Sequence, residues 1–130
     1  MSLSLPRLLV ITSAPGDSDG DHLVLDGKFI EGMRFYSQSW RGPVSCLLRR
    51  SSRALPFSQH VDPADLPFGA SLRPAGHHIQ PADLEGHDLV LCSGDNPDFL
   101  HVAGLCRRMA IPIFYIIEYI PETRRQIIML

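Results

Sequence analysis

A chain of 130 residues and 14.5 kDa with 45% hydrophobic residues can bury one real core and is too short for two ordinary domains. Twelve Lys and Arg against fourteen Asp and Glu leave a net charge of −2. The basic residues stand in scattered pairs (Arg49-Arg50, Arg107-Arg108, Arg124-Arg125) without interleaved aromatics, so nucleic acid is excluded as an expected partner.

The first recognisable element is the apolar run Arg7-Leu8-Leu9-Val10-Ile11-Thr12-Ser13, which reads as a strand buried on both faces because it has no polar face to alternate. Ala14 to Asp21 reads as a Gly/Asp/Ser loop at the carboxyl edge of a parallel sheet, the edge where open α/β sheets bind ligands. A helix is expected from His22 to about Trp40, since Phe29, Met33, Tyr36 and Trp40 fall on one stripe. Gly27 and Gly32 weaken it by about 1 kcal/mol each relative to Ala.

Gly42-Pro43 breaks that helix, and Val44 to Leu48 reads as a second strand joined to the first by a right-handed crossover. Ser51 to Gly76 carries Pro56, Pro63, Pro67 and Pro74 and cannot be one long helix or central strand; a short helix or hairpin is expected inside it, with Leu66-Pro67-Phe68 pinning it to the body. His77-His78-Ile79 reads as a short edge strand and Pro81 to Leu84 as a turn of helix with Pro at its start. His87 to Ser93 is a clearer strand. Asn96-Pro97 reads as an N-cap and first helical residue, with Phe99, Val102, Cys106 and Met109 at helical spacing. Ile111 to Ile117 reads as a last buried strand. The alternation predicts an α/β domain with a doubly wound parallel sheet in three layers, helices on both faces.

Pro121 to Gln126 begins another helix, but the sequence stops at Ile127-Ile128-Met129-Leu130 with four apolar residues and no cap. The expectation is the amino-terminal part of a longer protein, and an apolar tail through which the isolated chain could self-associate. Met1-Ser2-Leu3 is set aside as a leader. Cys46, Cys92 and Cys106 form an odd set without C-x-x-C spacing and read as core hydrophobes in a reducing compartment. The most apolar run, Ile111 to Ile120, is too short to span a bilayer and carries Glu118. A cytoplasmic location is expected, with a membrane surface left open as a partner.

In the strand order 3-2-1-4-5, Pro15 to Asp21 and Ser93-Gly94-Asp95-Asn96 face each other across the switch point, with Glu118-Tyr119 beside them. Neither G-x-G-x-x-G nor a Walker loop is present, so no cofactor is implied. Asp17, Asp19 and Asp21 put carboxylates where a phosphate would want amide groups, and sugar hydroxyls or a cation suit that loop better. The calcium-loop pattern fails at His22 and Lys28, and Asp17-Ser18-Asp19 is a D-x-D in a weak place. Asp19 or Asp21 could equally cap the helix. His77-His78 lacks a third metal ligand, and Ser93, His101 and Asp95 form a triad on paper only, without a nucleophile elbow. Glu118, closing an apolar strand, must be solvated, paired or functional.

The loop with Gly16 and Gly20, the helix from Gly27-Lys28-Phe29 to Tyr36 ending in Trp40-Arg41-Gly42-Pro43-Val44, the strand end Cys92-Ser93-Gly94-Asp95, and Glu118-Tyr119 ahead of Thr123-Arg124 resemble the amino-terminal domain of GT-B glycosyltransferases of the group-1 (family 4) type. The resemblance covers nearly the whole chain. It implies a Rossmann-like domain spanning residues 1–130 that faces a second, carboxyl-terminal domain. A nucleotide-sugar donor would be held mainly by that second domain and the acceptor by this one. Gly16, Asp17, Asp19 and Gly20 would then close over the donor, while Ser93, Gly94, Asn96 and Tyr119 face the acceptor. Glu118 or Asp95 would orient or deprotonate an acceptor hydroxyl. Many relatives carry a His where Glu118 is the nearest match. The paired-Glu donor motif belongs to the other domain, so this chain alone is expected not to transfer sugar. The rival readings are a non-catalytic flavodoxin-like or receiver-like binding module and an interaction domain with an apolar docking end.

Overall fold

The computed structural model describes residues 4–51 and 57–116. Glu118, Tyr119 and the helix expected after Pro121 lie outside the described residues.

The first strand, β1 (Leu8–Asp19), is longer than its apolar run and does two jobs. Leu8 to Ile11 is the sheet's centre, parallel to β3 (Val44–Arg50) on one side and to β6 (Leu89–Ser93) on the other. β3 pairs in parallel with β5 (Gly69–Arg73), and β6 with β7 (Ile113–Ile116). The parallel strands therefore lie in the order β5-β3-β1-β6-β7, which is 3-2-1-4-5 when they are counted along the chain.

Strand period separates the two faces. Leu8 and Val10 join Val44, Cys46, Leu48, Ile30, Met33 and Phe68 in one apolar cluster under α1 (Gly27–Ser39). Leu9 and Ile11 join Val90, Cys92, Leu84, Val102, Leu105 and Cys106 in the other, under α2 (Pro81–Leu84) and α3 (Phe99–Met109). Helices thus cover both faces of a mixed α/β open sheet of seven strands. Ile11, Leu25, Leu48 and Leu84 have no exposed surface, and each such side chain contributes about 1.5–3 kcal/mol by leaving water.

The segment read as a loop opening a helix folds differently. Gly16 to Asp19 runs on as strand and turns back through Gly20-Asp21 into β2 (His22–Asp26), pairing antiparallel from Gly16↔Leu25 to Asp19↔His22. Gly20 has φ +60° at the first central position of this two-residue turn, the place where a type II′ hairpin requires glycine. β4 (Ser58–Val61) adds a third antiparallel strand. The helix therefore starts at Gly27 and not at His22, and Asp26, not Asp19 or Asp21, caps it by accepting from the Phe29 N–H at 3.1 Å. The expected stripe holds: Met33 is buried, with Phe29, Tyr36 and Trp40 packed against the same cluster.

The Pro-rich stretch yields β4, a 3-10 turn at Pro63–Asp65 and β5, the last parallel strand on its side of the sheet. Phe68 pins it, 5% exposed. His77-His78-Ile79 is irregular chain and not an edge strand, because its polar groups are taken by side chains, as described below. The α3 helix begins at Phe99, two residues later than the Asn96-Pro97 signal placed it, yet Asn96 Oδ1 accepts from the Asp98 N–H at 2.9 Å and closes a preliminary turn. The last strand begins at Ile113, two residues later than expected, and is less buried: Phe114 is 57% and Tyr115 61% exposed.

Candidate functional site

A crevice of about 500 Å³ opens where the continuous parallel pairing of β1 ends, past Ile11, between β1, the first turns of α1 and Ser93 at the end of β6. The register of β1 against β3 shifts between Ile11 and Pro15, so Thr12, Ser13 and Ala14 leave that ladder. Their polar groups are satisfied locally. Thr12 Oγ1 accepts from the Ala14 N–H at 3.0 Å, and Asn96 Nδ2 donates to the Thr12 carbonyl at 3.5 Å. Ser13 Oγ donates to the Asp95 carboxylate at 3.0–3.1 Å. Those three residues with Pro15 form one wall; Asp26, Lys28, Phe29, Gly32, Met33 and Tyr36 form the other, and Ser93 lines the crevice between them.

Of the three groups expected at this edge one stands here, one contributes only Pro15, and Glu118-Tyr119 lies outside the described residues. The turn Ser93-Gly94-Asp95-Asn96 stands at the edge as expected: Asn96, 3% exposed, is a structural tie to β1, and Asp95 is exposed and held by Ser13. Gly16, Asp17, Asp19 and Gly20 line no part of the crevice. A Cβ on Gly16 would crowd the methyl ends of Leu72 at 3.0 Å and Leu25 at 3.3 Å, so this glycine sits against the apolar core and not against the crevice. Asp17 pairs with Arg50 at 3.1 Å and Asp19 with His60 at 3.4 Å, along the hairpin. The crevice wall therefore carries one carboxylate, Asp26, and one ammonium, Lys28, in place of three carboxylates. Thr12, Ser13, Asp26 and Lys28 went unnoticed in the sequence. The Asp19-Gly20 dipeptide, followed by Leu23 and Leu25 in alternation, was the available signal for a hairpin that would have put the helix start at Asp26.

The paper triad does not assemble. His101 Nε2 is bonded to the Ile79 carbonyl at 2.8 Å on the opposite face, and Asp95 is committed to Ser13. Ser93 is 2% exposed and its Oγ has no hydrogen-bond partner, the one such buried side-chain atom among the described residues.

Behind the crevice two carboxylates are built alike. Asp98 takes Arg49 Nη2 at 2.9 Å, His78 Nδ1 at 3.0 Å and the buried Ile79 N–H at 3.1 Å. Asp83 takes Arg73 Nε at 3.1 Å, His77 Nε2 at 2.9 Å and the Gln80 N–H at 2.8 Å. Burial alone would raise both carboxyls, but these hydrogen bonds and the guanidinium charges outweigh it and hold each below its ordinary value. The adjacent histidines thus serve different carboxylates. Among the described residues no group of three or more His, Cys, Asp or Glu side chains is arranged to hold a metal ion.

No helix among the described residues is long and apolar enough to cross a membrane. Comparison of the chain with models of known families, with curated proteins and with solved structures yields no match.

Proposed function

We propose that this chain is a ligand-binding, Rossmann-like domain whose crevice takes a small hydroxyl-bearing molecule, and that it serves as the acceptor-side half of a glycosyltransferase. In that role the acceptor hydroxyl sits at the carboxyl edge while a nucleotide-sugar is presented by a second domain. The observation that carries the reading is the crevice itself, formed where the parallel order turns from β3 to β6 on either side of β1, the position at which open α/β sheets bind ligands. Its hydroxyl-rich wall and balanced Asp26 and Lys28 suit a neutral polar ligand better than an ion. Asp95, exposed at the rim, accepts from Ser13 Oγ and keeps spare lone pairs with which its carboxylate would orient an acceptor hydroxyl, and Glu118 is the second candidate. The receiver-like alternative loses its support, since the acidic residues after the first strand are drawn into the hairpin.

The test is a titration of the ¹⁵N-labelled chain with methyl α-D-glucopyranoside. Shifts confined to Thr12, Ser13, Ala14, Lys28 and the Ser93–Asn96 turn are expected. Unchanged crevice resonances at a saturating, tens-of-millimolar concentration would refute the site. The transferase half of the reading is tested on the gene product together with its second domain, as acceptor-dependent release of nucleotide from a nucleotide-sugar.

A further inference from the structure

Buried hydroxyls in folded chains have partners almost without exception, because an unpaired one costs about 1–3 kcal/mol. Ser93 breaks this rule at the one place where a ligand could mend it. Its residue is 2% exposed, its Oγ is unpartnered, and it lines the crevice between Thr12 and the α1 wall. The neighbouring polar side chains are bonded elsewhere and none of them to Ser93 Oγ: Ser13 to Asp95, Asn96 to Thr12 and Asp98, and Asp26 to the Phe29 N–H. Oγ is itself buried where it stands, so it meets a ligand by rotation about Cα–Cβ to another of the three staggered positions, and rotation about Cβ–Oγ then aims its proton. The charges on the facing wall, Asp26 and Lys28, balance, so the missing partner is a neutral donor–acceptor group and not an ion.

We propose that Ser93 is the specificity-determining residue of the crevice: its hydroxyl exchanges a hydrogen bond with one hydroxyl of a neutral polyol, and ligands lacking that hydroxyl are rejected. The inference rests on the crevice being the binding site. A site holding an otherwise unpaired polar group discriminates strongly against a ligand that leaves it unpaired, which is the source of the selectivity.

The test uses the full 130-residue chain and its variants Ser93→Ala and Ser93→Cys, with methyl α-D-glucopyranoside, its monodeoxy derivatives and inorganic phosphate as probes, read by ¹⁵N shifts and by thermal melting. Without ligand, Ser93→Ala is expected to melt at or above the wild-type temperature, because it removes a hydroxyl that had no partner. With ligand it is expected to bind the glucoside at least tenfold more weakly, Ser93→Cys falling between. One monodeoxy derivative should bind the wild-type chain at least tenfold more weakly than the parent, yet bind Ser93→Ala as the parent does. A melting temperature several degrees lower for unliganded Ser93→Ala would show that the hydroxyl already has a partner and would overturn the inference. So would equal glucoside affinity in Ser93→Ala and wild type, with the crevice shifts intact, and that result leaves the proposed site standing. Crevice shifts with phosphate but none with the glucoside would overturn the neutral-ligand assignment; no crevice shifts with any probe would remove the site and the inference together.

Discussion

Asp98→Ala should be the most damaging single change in the network behind the crevice. The side chain is 10% exposed and holds three donors from two parts of the chain: Arg49 of β3, and His78 Nδ1 and the Ile79 N–H of the connection after β5. Removing it leaves a guanidinium whose side chain is 17% exposed without its carboxylate, and the amide of a fully buried residue without an acceptor. Breaking a buried pair from one side costs about 3–5 kcal/mol, and Arg49 keeps some water and its bond to the His77 carbonyl, so about 2–3 kcal/mol is expected here. For a domain of this size that is a fall in Tm of about 8–12 °C. Asp98→Asn keeps an acceptor for Ile79 and should cost about half as much. Adding Arg49→Met to Asp98→Ala should recover part of the loss, since no buried charge is then stranded. The pH dependence follows from the same contacts. Asp98 and Asp83 are held below their ordinary values when folded, so they stabilise the fold above the unfolded value of 3.8 and lose that contribution as pH falls through the lower folded values. Urea melts from pH 7 down to pH 2 should show a decline below about pH 4 that is shallower in Asp98→Asn. A cost under about 1 kcal/mol for Asp98→Ala, or an acid decline unchanged by Asp98→Asn, would refute the assignment.

Gly42→Ala would drive a Cβ into the backbone carbonyl of Pro6, which also accepts from Trp40 Nε1 at 2.8 Å, so a loss of about 1–3 kcal/mol and a loosened amino-terminal segment are expected, measured by urea melts and amide exchange. Two left-handed positions should respond in opposite senses: Gly20→Ala, at φ +60° with open space around it, loses about 1 kcal/mol, while Ala110→Gly, at φ 58° on the C-cap of α3, gains up to about 1 kcal/mol. Equal effects at both would show that neither conformation is strained. The thiols should be inert to Ellman's reagent at pH 8 until the chain unfolds, since burial pushes Cys46 up to about 12 and, with nearby negative charge, Cys92 to about 11, and raises Cys106 as well. Reaction of any of them at the rate of a free peptide thiol would contradict this burial.

Four of the five parallel strands were legible because each announces itself by local composition, whereas β5 (Gly69–Arg73), with only Ala70 and Leu72 as apolar residues in a Pro-rich stretch, was not. Leu8 to Ile11, Val44 to Leu48 and Leu89 to Ser93 are apolar runs with no polar face, and only burial on both sides explains such runs. The hairpin was not legible in the same way, because its pairing Gly16↔Leu25 joins a strand to the residues before a helix whose own periodicity tempts a reader to extend it backwards. His22 to Asp26 contains apolar residues at positions that fit both periods, and the Asp19-Gly20 turn decides between them. The Arg49–Asp98 and Arg73–Asp83 pairs were out of reach for another reason. They bring together residues 49 and 10 positions apart through a Pro-rich connection that has no period to read.

The hairpin also determines what kind of site the carboxyl edge can be. Had Asp17, Asp19 and Asp21 remained in a loop above β1, their charges would have dominated the edge and favoured a cation. Because β1 continues as strand, Asp17 is drawn to Arg50 and Asp19 to His60, and around the register shift between Ile11 and Pro15 the strand presents Val10, Thr12, Ser13, Ala14 and Pro15 to the opening, none of them charged. The hairpin's return strand β2 ends at Asp26 at the head of α1, where its carboxylate accepts from the Phe29 N–H. The edge is thereby stripped of surplus charge and left with hydroxyls, one ammonium and one carboxylate, set around a serine that lacks a partner. A two-residue turn at Gly20-Asp21 thus decides which charged side chains line the crevice. Replacing it with a flexible loop, for example Gly-Ser-Gly-Ser in place of Gly20-Asp21, should unpair β2 and release Asp17 and Asp19. Glucoside binding should then weaken at least tenfold, with calcium binding newly detectable by calorimetry; glucoside affinity unchanged in a variant shown by NMR to have lost the hairpin would sever this link between turn and site.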